Sequence, residues 1–164
     1  MLGPIGSTAH HVGSLNGPAG ERFRPLHLQC HGHVSPAGVT EWMKRARLFV
    51  GASLYEPFGL APLEAVLNGC ALVLSDIGSF RELWDGCAEF FPSGGAAALA
   101  DALRRLEADP ALRERLASAA RKRALRRYTA PRMAEEYLAL YRQLVAQHGR
   151  RAPSPSPEPT LATV

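Results

Sequence analysis

The residues LFVGASLYEPFGLAPLEAVLNGCALVLS, at positions 48–75, decide how this chain is expected to fold. Two continuous apolar runs, at 48–50 and 71–74, flank an apolar segment at 60–67 that is long enough for a short helix. Apolar runs of this kind are typical of strands that are buried on both faces of a parallel sheet, where a helix makes the crossover. The stretch therefore predicts a strand–helix–strand unit of the α/β class, with right-handed crossovers.

Segments on both sides continue this alternation of strands and helices. Ser35 and Pro36 predict a helix start, because serine caps the free N–H groups and proline fits the first turn. Gly69 is expected to close the helix that begins at residue 60, as a C-terminal cap. Short strands are predicted at 26–30 and 88–91, with a short helix at 80–84. A complete Rossmann-like sheet has more strands than this, so a partial sheet is expected.

The second half of the chain is predicted to be helical. Leucines recur at helical spacing, and Asp109-Pro110 divides them into two helices. Thr129 opens a last helix, whose apolar and aromatic residues share one face and are expected to be core. The members of that stripe are Met133, Tyr137, Leu140, Tyr141 and Leu144.

Both ends of the chain lack a regular pattern. Residues 1–25 are rich in glycine, proline, serine and histidine and are predicted to be an irregular segment. Residues 149–164 are rich in proline and serine and are predicted to be a disordered tail. The domain proper is therefore expected to span 26–148.

Composition places the chain among globular proteins. With 164 residues and 46% hydrophobic residues, it fits one domain. It has neither a signal-peptide pattern nor an apolar run near the roughly 20 residues that span a bilayer, so a cytoplasmic protein is expected. The three cysteines, Cys30, Cys70 and Cys87, are too few and too scattered for a disulfide framework. Cys70 and Cys87 are expected to be small core residues.

Two other functions have weaker sequence support. The net charge of +4 comes largely from a basic run at 121–127, which lacks interleaved aromatic residues and so favours a solvated helical face over a nucleic-acid surface. A basic interaction module stays open as an alternative. A metal site would need a second pair of ligands at metal-binding spacing, and none accompanies the candidate group. That group is Cys30, His31 and His33, with His10 and His11.

Two glutamates carry the chemistry of the central stretch. Glu56 and Glu64 bracket EPFGLAPLE in an E-x7-E pattern, at the turn between the first strand and its helix. Free N–H groups at a helix N-terminus attract phosphate. A carboxylate further along the helix can accept hydrogen bonds from the vicinal hydroxyls of a ribose. The pattern therefore indicates the binding of a sugar nucleotide.

From about residue 27 to 147 the chain resembles a known domain. It is similar to the C-terminal, donor-binding domain of retaining GT-B fold glycosyltransferases of the group 1, or family-4, type. The stretches that carry the resemblance are RARLFV at 45–50, EPFGL at 56–60, LEA at 63–65, NGCALVLS at 68–75, the turn at 76–83 and the last helix from 128 to 137.

The resemblance implies roles for five residues. It implies that Glu64 holds the ribose hydroxyls, and that Glu56 contacts the donor hexose as the catalytic carboxylate. It also implies that Phe58, Gly59 and Leu60 place main-chain N–H groups near the sugar and the diphosphate. Because Gly59 has no Cβ, a ligand is expected to approach its backbone closely. No cofactor and no metal are implied.

The resemblance also implies the partners. They are a nucleotide-diphosphate sugar donor and a carbohydrate or other hydroxyl acceptor, and they include no nucleic acid. The family's N-terminal domain and its Arg/Lys pair for the diphosphate have no counterpart, since Arg22 and Arg24 do not fit that pattern. The chain is therefore expected to be truncated or split, and to need a partner chain for transfer. A non-catalytic nucleotide-sugar-binding subunit is the alternative.

Overall fold

A computed structural model describes residues 6–17, 20–22 and 25–148. The tail at 149–164 that was predicted to be disordered lies outside these described residues. The chain divides into two units, 1–126 and 127–164. In chain order the elements are β1 (Ala9–His11), β2 (Leu28–Cys30), α1 (Pro36–Arg45), β3 (Leu48–Gly51), α2 (Leu60–Leu67), β4 (Ala71–Ser75), α3 (Gly78–Trp84), β5 (Glu89–Phe91), α4 (Ala96–Ala108), α5 (Pro110–Arg127) and α6 (Ala130–His148).

Three parallel strands, in the order β3–β4–β5, form the larger sheet of the first unit. Gly51 lies opposite Leu74, and Ser75 lies opposite Phe91. Every residue of β4 is buried, because this apolar strand lies between the other two. The predicted α/β class, with a partial parallel sheet followed by C-terminal helices, is confirmed.

A second, two-stranded sheet corrects the prediction for residues 1–25. That segment was expected to be irregular, yet β1 lies within it and pairs in parallel with β2. Nearby, the Glu107 carboxylate accepts hydrogen bonds from the N–H groups of Ser7 and Gly6, at 3.0 and 3.3 Å. Main-chain pairing holds β1, and most of its residues are exposed, so the strand has no apolar alternation that the sequence could reveal.

The predicted helix boundaries have the expected caps. The Ser35 hydroxyl accepts a hydrogen bond from the Gly38 N–H at 3.2 Å, at the start of α1. Asp109 accepts from the Leu112 N–H at 2.9 Å, at the start of α5. Gly69 follows the end of α2 with a φ of +97°, the left-handed conformation that glycine adopts readily. Each signal is local, which is why the sequence was sufficient.

One core cluster of the first unit lies between the larger sheet and the helices α4 and α5. A buried cluster joins Val73 and Phe91 of the sheet to Ala102 and Leu106 of α4. Partly buried side chains of α5, among them Leu112 and Leu116, pack against the same cluster. The leucines that share a helical face in the sequence therefore form the layer that covers one face of this sheet.

The three cysteines differ in accessibility, which gives a first prediction. Cys70 and Cys87 are buried, as expected, whereas Cys30 is exposed. Burial raises the pKa of the Cys70 thiol to about 11, so little of the reactive thiolate forms near neutral pH. We expect iodoacetamide to alkylate Cys30 first in the native protein, and all three cysteines after denaturation. Peptide mass spectrometry at short reaction times checks this order, and early labelling of Cys70 contradicts the packing.

The second unit contains α6, and its described residues correct another prediction. None of its side chains is buried, and Met133, Tyr137 and Tyr141 are each more than half exposed. The prediction that this stripe is core is therefore wrong, because helical spacing places residues on one face without showing what covers it. Within the described part of the chain, no helix combines the length and the apolarity that crossing a membrane requires.

Candidate functional site

The residues singled out by the sequence follow the carboxyl end of β3. Residues 52–59 connect β3 to α2, and residues 76–77 connect β4 to α3. Because β3 and β4 are parallel neighbours, both connections leave the same edge of the sheet. Ligands of open α/β sheets bind outside the carboxyl ends of the strands, so a binding site is expected at this edge.

Glu56 is half-buried and organises its own loop. Its Oε1 accepts a hydrogen bond from the Gly59 N–H at 2.9 Å. Its main-chain carbonyl accepts a hydrogen bond from the Ser79 hydroxyl, which reaches across from α3. The loop before α2 is thus held from within by a carboxylate and from the next turn by a hydroxyl. Sequence reasoning missed Ser79, because only the folded chain brings residues 56 and 79 together.

Gly59 is buried at the N-cap of α2, with a φ of +83°. A Cβ at this position would lie 3.1 Å from Cε1 of Phe80 and 3.3 Å from Cδ of Pro62. The close approach that was expected from a ligand is therefore made, on this side, by protein side chains. The glycine is required by the turn and by this packing, and its N–H is already bonded to Glu56.

The first turn of α2 leaves main-chain donors near this loop. Pro62 has no N–H, and the Leu63 N–H donates to the Gly59 carbonyl at 3.3 Å. The N–H groups of Leu60 and Ala61 belong to the first turn, where a helix provides no acceptor of its own. Leu60 is 66% exposed and the nearby Phe58 is 37% exposed, so this end of the helix is open to solvent.

Glu64 is exposed on α2 and lines a cleft of about 340 Å³. The other lining residues come from α1 and the residues just before it: Val34, Pro36, Val39 and Thr40. Among the described residues, Glu56 is not part of this lining. The structure therefore places the two motif glutamates differently, with Glu64 facing a cleft beside α1 and Glu56 in the loop that precedes α2. No pattern in the sequence indicated the α1 side of the cleft.

Arg81 lies next to the loop, but its guanidinium group is already bonded to two carboxylates. Its Nε and Nη2 donate to the two carboxylate oxygens of Asp76, at 2.7 and 2.8 Å, and its Nη1 donates to Asp85 at 3.1 Å. The guanidinium also lies 4.0 Å from the centre of the Phe90 ring. The hydrogen bond from Arg81 lowers the pKa of Asp76, so this pair stays ionised. It fixes the turn after β4 and does not offer a cation to a ligand.

The histidines of the N-terminal segment form a small aromatic group. The Nδ1 of His10 lies 3.1 Å from the Nε2 of His31, and both rings lie within 5 Å of the Trp42 ring. Over residues 6–17, 20–22 and 25–148, no three or more histidine, cysteine, aspartate or glutamate side chains come together as a metal site would require. Cys30, His31 and His33 are therefore not assembled into such a group.

Comparison with known proteins gives a consistent match. The sequence pattern of the family described as Glycosyl transferases group 1 matches residues 18–123, which is more than half of the chain. The alpha-maltose-1-phosphate synthase of Mycobacterium tuberculosis is 36% identical over 116 residues, which cover 66% of this chain and 30% of that protein. The chain therefore spans about a third of the length of such a relative.

Solved structures match over about three quarters of the chain. Sucrose-phosphate synthase from Thermosynechococcus elongatus aligns with a TM-score of 0.67 and 29% identity, over 74% of this chain and 31% of that one. Anabaena HepE, solved in complex with UDP-glucose, aligns with a TM-score of 0.66 and 21% identity, over 72% of this chain and 33% of that one. Both are GT-B glycosyltransferases.

Proposed function

This chain belongs to the Glycosyl transferases group 1 family, and from that membership we propose that it binds a nucleotide-diphosphate sugar as the donor for hexosyl transfer with retention. The donor lies, in this proposal, along α2 at the carboxyl edge of β3 and β4. The observation that carries the proposal is the exposed Glu64 carboxylate, which faces the cleft beside α1. The likeness in fold to a protein solved with UDP-glucose supports the same ligand class.

Glu64 and the start of α2 divide the recognition of the donor between them. The Glu64 carboxylate accepts hydrogen bonds from the two vicinal ribose hydroxyls, a geometry that one carboxylate satisfies well. The N–H groups of Leu60 and Ala61 face the diphosphate at the positive end of the helix dipole. As the nucleoside diphosphate leaves, these fixed donors stabilise the negative charge that develops on it.

Glu56 and the turn around it define the position of the hexose. A carboxylate can accept about four hydrogen bonds, so the bond from the Gly59 N–H leaves capacity for sugar hydroxyls. Phe58 and Gly59 shape the turn that brings this carboxylate beside the helix end. We assign Glu56 the catalytic contact with the transferred sugar, and Phe58, Gly59 and Leu60 the main-chain surface against which the donor lies.

Calorimetric titration of the full chain tests the ligand class. We expect saturable binding of UDP-glucose or GDP-mannose, with the matching nucleoside diphosphate as a competitor. Glucose or mannose alone, without a nucleotide, serves as the control and should give no heat of binding. Absence of saturable binding by either nucleotide sugar would overturn the proposal.

A non-catalytic donor-binding subunit is the second candidate, because the chain spans only about a third of a relative such as the maltose-1-phosphate synthase. Under both candidates the acceptor, a carbohydrate or other hydroxyl compound, meets the donor on a surface that a partner chain or further sequence provides. We expect no sugar transfer by this chain alone with purified donor and acceptor. Measured transfer would contradict that expectation and leave donor binding intact.

The Ser79 hydroxyl gives a prediction about the loop. Replacing Ser79 by alanine removes its hydrogen bond to the Glu56 carbonyl, a bond worth about 1 kcal/mol. We expect donor affinity to fall by less than about tenfold, since the loop keeps other restraints, among them the Gly59 N–H to Glu56 bond and the bond from the Ser75 hydroxyl to the Ser53 carbonyl. The matched control is Ser93→Ala, an exposed serine after β5. An equal loss in both variants, or no loss in Ser79→Ala, would show that this bond does not position Glu56.

A further inference from the structure

A second cleft, of about 280 Å³, lies at the opposite edge of the same sheet. It is formed where α1 and α2 end and where α5 begins. Arg47 directly precedes β3, and Asn68 and Gly69 lie within three residues of the start of β4, so the cleft faces the amino ends of these strands. At about 3.3 Å per residue, the five residues of β4 separate it from the Glu56 loop by roughly 15 Å.

The lining of this cleft is strongly basic. Lys44, Arg45, Arg47 and Arg113 line it against one carboxylate, that of Glu114. Because like charges repel, side chains of one sign are grouped around a space at a cost in stability. A ligand of opposite charge would remove that cost.

Contacts within α1 account for two of these cations. Lys44 forms an ion pair with Glu41 at 2.8 Å, and Arg45 lies 5.2 Å over the Trp42 ring. Both also belong to the last turn of α1, where a cation is favourable beside the free carbonyls. These contacts explain the positions of Lys44 and Arg45 without a ligand.

Arg47 and Arg113 come from outside α1, and each has one local contact. Arg47 lies close enough to Glu107 to help lower the pKa of that carboxyl, and Arg113 reaches a carbonyl in the last turn of α4. Arg47 lies outside any helix, and its main-chain carbonyl accepts from the Ala71 N–H while its side chain is exposed. Arg113 lies near the first turn of α5, at the helix end where the dipole disfavours a cation. Its Nη1 donates to the Leu106 carbonyl at 3.0 Å, which anchors the guanidinium beside the cleft.

We propose that this amino-edge cleft binds the phosphate group of a small phosphorylated ligand, separately from the nucleotide-sugar site. Arginine guanidinium groups match phosphate oxygens in bidentate geometry, and Arg47 and Arg113 supply two of them from different elements. At about 280 Å³ the cleft is slightly smaller than the roughly 300–1,000 Å³ of most ligand sites, which favours a phosphomonoester over a nucleotide. The neutral Asn68 and Gly69 complete its floor, and nothing would meet a Cβ within 4 Å of Gly69, so that side is open.

The cleft also has a direct link to the donor helix. The Asn68 side-chain amide donates to the Glu64 carbonyl at 2.9 Å, so a ligand at this end contacts the helix that carries the motif glutamate. The binding site itself does not depend on that link, nor on the proposed transferase donor. Glu64→Ala is therefore expected to leave phosphate binding in this cleft unchanged.

Amide chemical shifts of the full chain, titrated with glycerol 3-phosphate and with inorganic phosphate, test the proposal. We expect saturable shifts at 44–47, 68–69 and 113–117, and none with glycerol. If both phosphates bind equally, the cleft recognises the phosphate group alone; tighter binding of the ester shows that the glycerol contributes.

The double variant Arg47→Gln/Arg113→Gln should bind at least about tenfold more weakly. Its matched control is Arg115→Gln/Arg121→Gln, which removes two exposed arginines of α5 and the same net charge. Equal weakening in the control pair would show that only overall charge matters and would overturn the site. Shifts that do not saturate, or that lie outside the cleft, would overturn it as well.

Discussion

Replacing Glu64 by alanine is expected to abolish measurable binding of the nucleotide sugar. In the proposed complex its carboxylate accepts two hydrogen bonds from the ribose, and bonds to a charged group are worth about 1.5–3 kcal/mol each. Their loss corresponds to a fall in affinity of about 100-fold or more. Because Glu64 is exposed on α2 and none of the described side chains is bonded to its carboxylate, the fold should tolerate the change.

Two further variants make this result specific. Glu64→Gln keeps one acceptor oxygen and loses the charge, so an intermediate affinity is expected. Glu114→Ala removes an exposed carboxylate at the opposite edge of the sheet and should leave donor affinity unchanged. Calorimetric titration with the same donor compares all three. Full affinity in Glu64→Ala, in a protein with an unchanged melting temperature, would remove Glu64 from the site.

Replacing Gly59 by alanine is expected to destabilise the protein and to weaken donor binding together. The residue has a φ of +83°, and a left-handed conformation costs a residue with a Cβ about 1–2 kcal/mol. The new Cβ would also lie 3.1 Å from the Phe80 ring in a buried position, so the turn that holds Glu56 must shift. We expect a free energy of unfolding that is lower by about 1–3 kcal/mol.

The matched control for this prediction is Gly94→Ala. Gly94 has a φ of +76°, but no atom lies within 4 Å of the place its Cβ would take. The control therefore carries the same conformational cost without the crowding. Thermal unfolding of both variants and donor titration separate the two effects. Equal destabilisation and equal donor affinity in the two variants would show that Phe80 and Pro62 accommodate the extra methyl group.

The sequence was sufficient for the parts of the fold that depend on local chemistry. The apolar runs at 48–50 and 71–74 predicted the buried parallel strands, since only a strand covered on both faces reads as a continuous apolar segment. Ser35, Asp109 and Gly69 marked helix ends because each acts through its own neighbouring backbone. The motif at 56–64 likewise predicted the turn between β3 and α2, and the place where a ligand would bind stays a prediction.

The features that the sequence did not reveal depend on contacts distant in the chain. The strand at 9–11 is held by pairing with 28–30 and carries no apolar alternation. The Ser79 hydroxyl meets the Glu56 carbonyl only because β3 and β4 are neighbours. The sequence predicted that Gly59 lets a ligand approach its backbone. In the structure, the Phe80 ring lies on the side where a Cβ would be, so packing explains the glycine there. Periodicity and motif spacing describe one element at a time, and none of these contacts lies within one element.

The most direct test of the account is to map a bound donor on the full chain by amide chemical shifts, with UDP-glucose and GDP-mannose as the titrants. We expect the largest saturable shifts at 58–64, where Gly59 and the first turn of α2 lie, and at 34–40 on the facing side of the cleft. These shifts should be lost in Glu64→Ala. Saturable shifts confined to other parts of the chain, or no shifts with either nucleotide sugar, would contradict a donor site between β3 and α2.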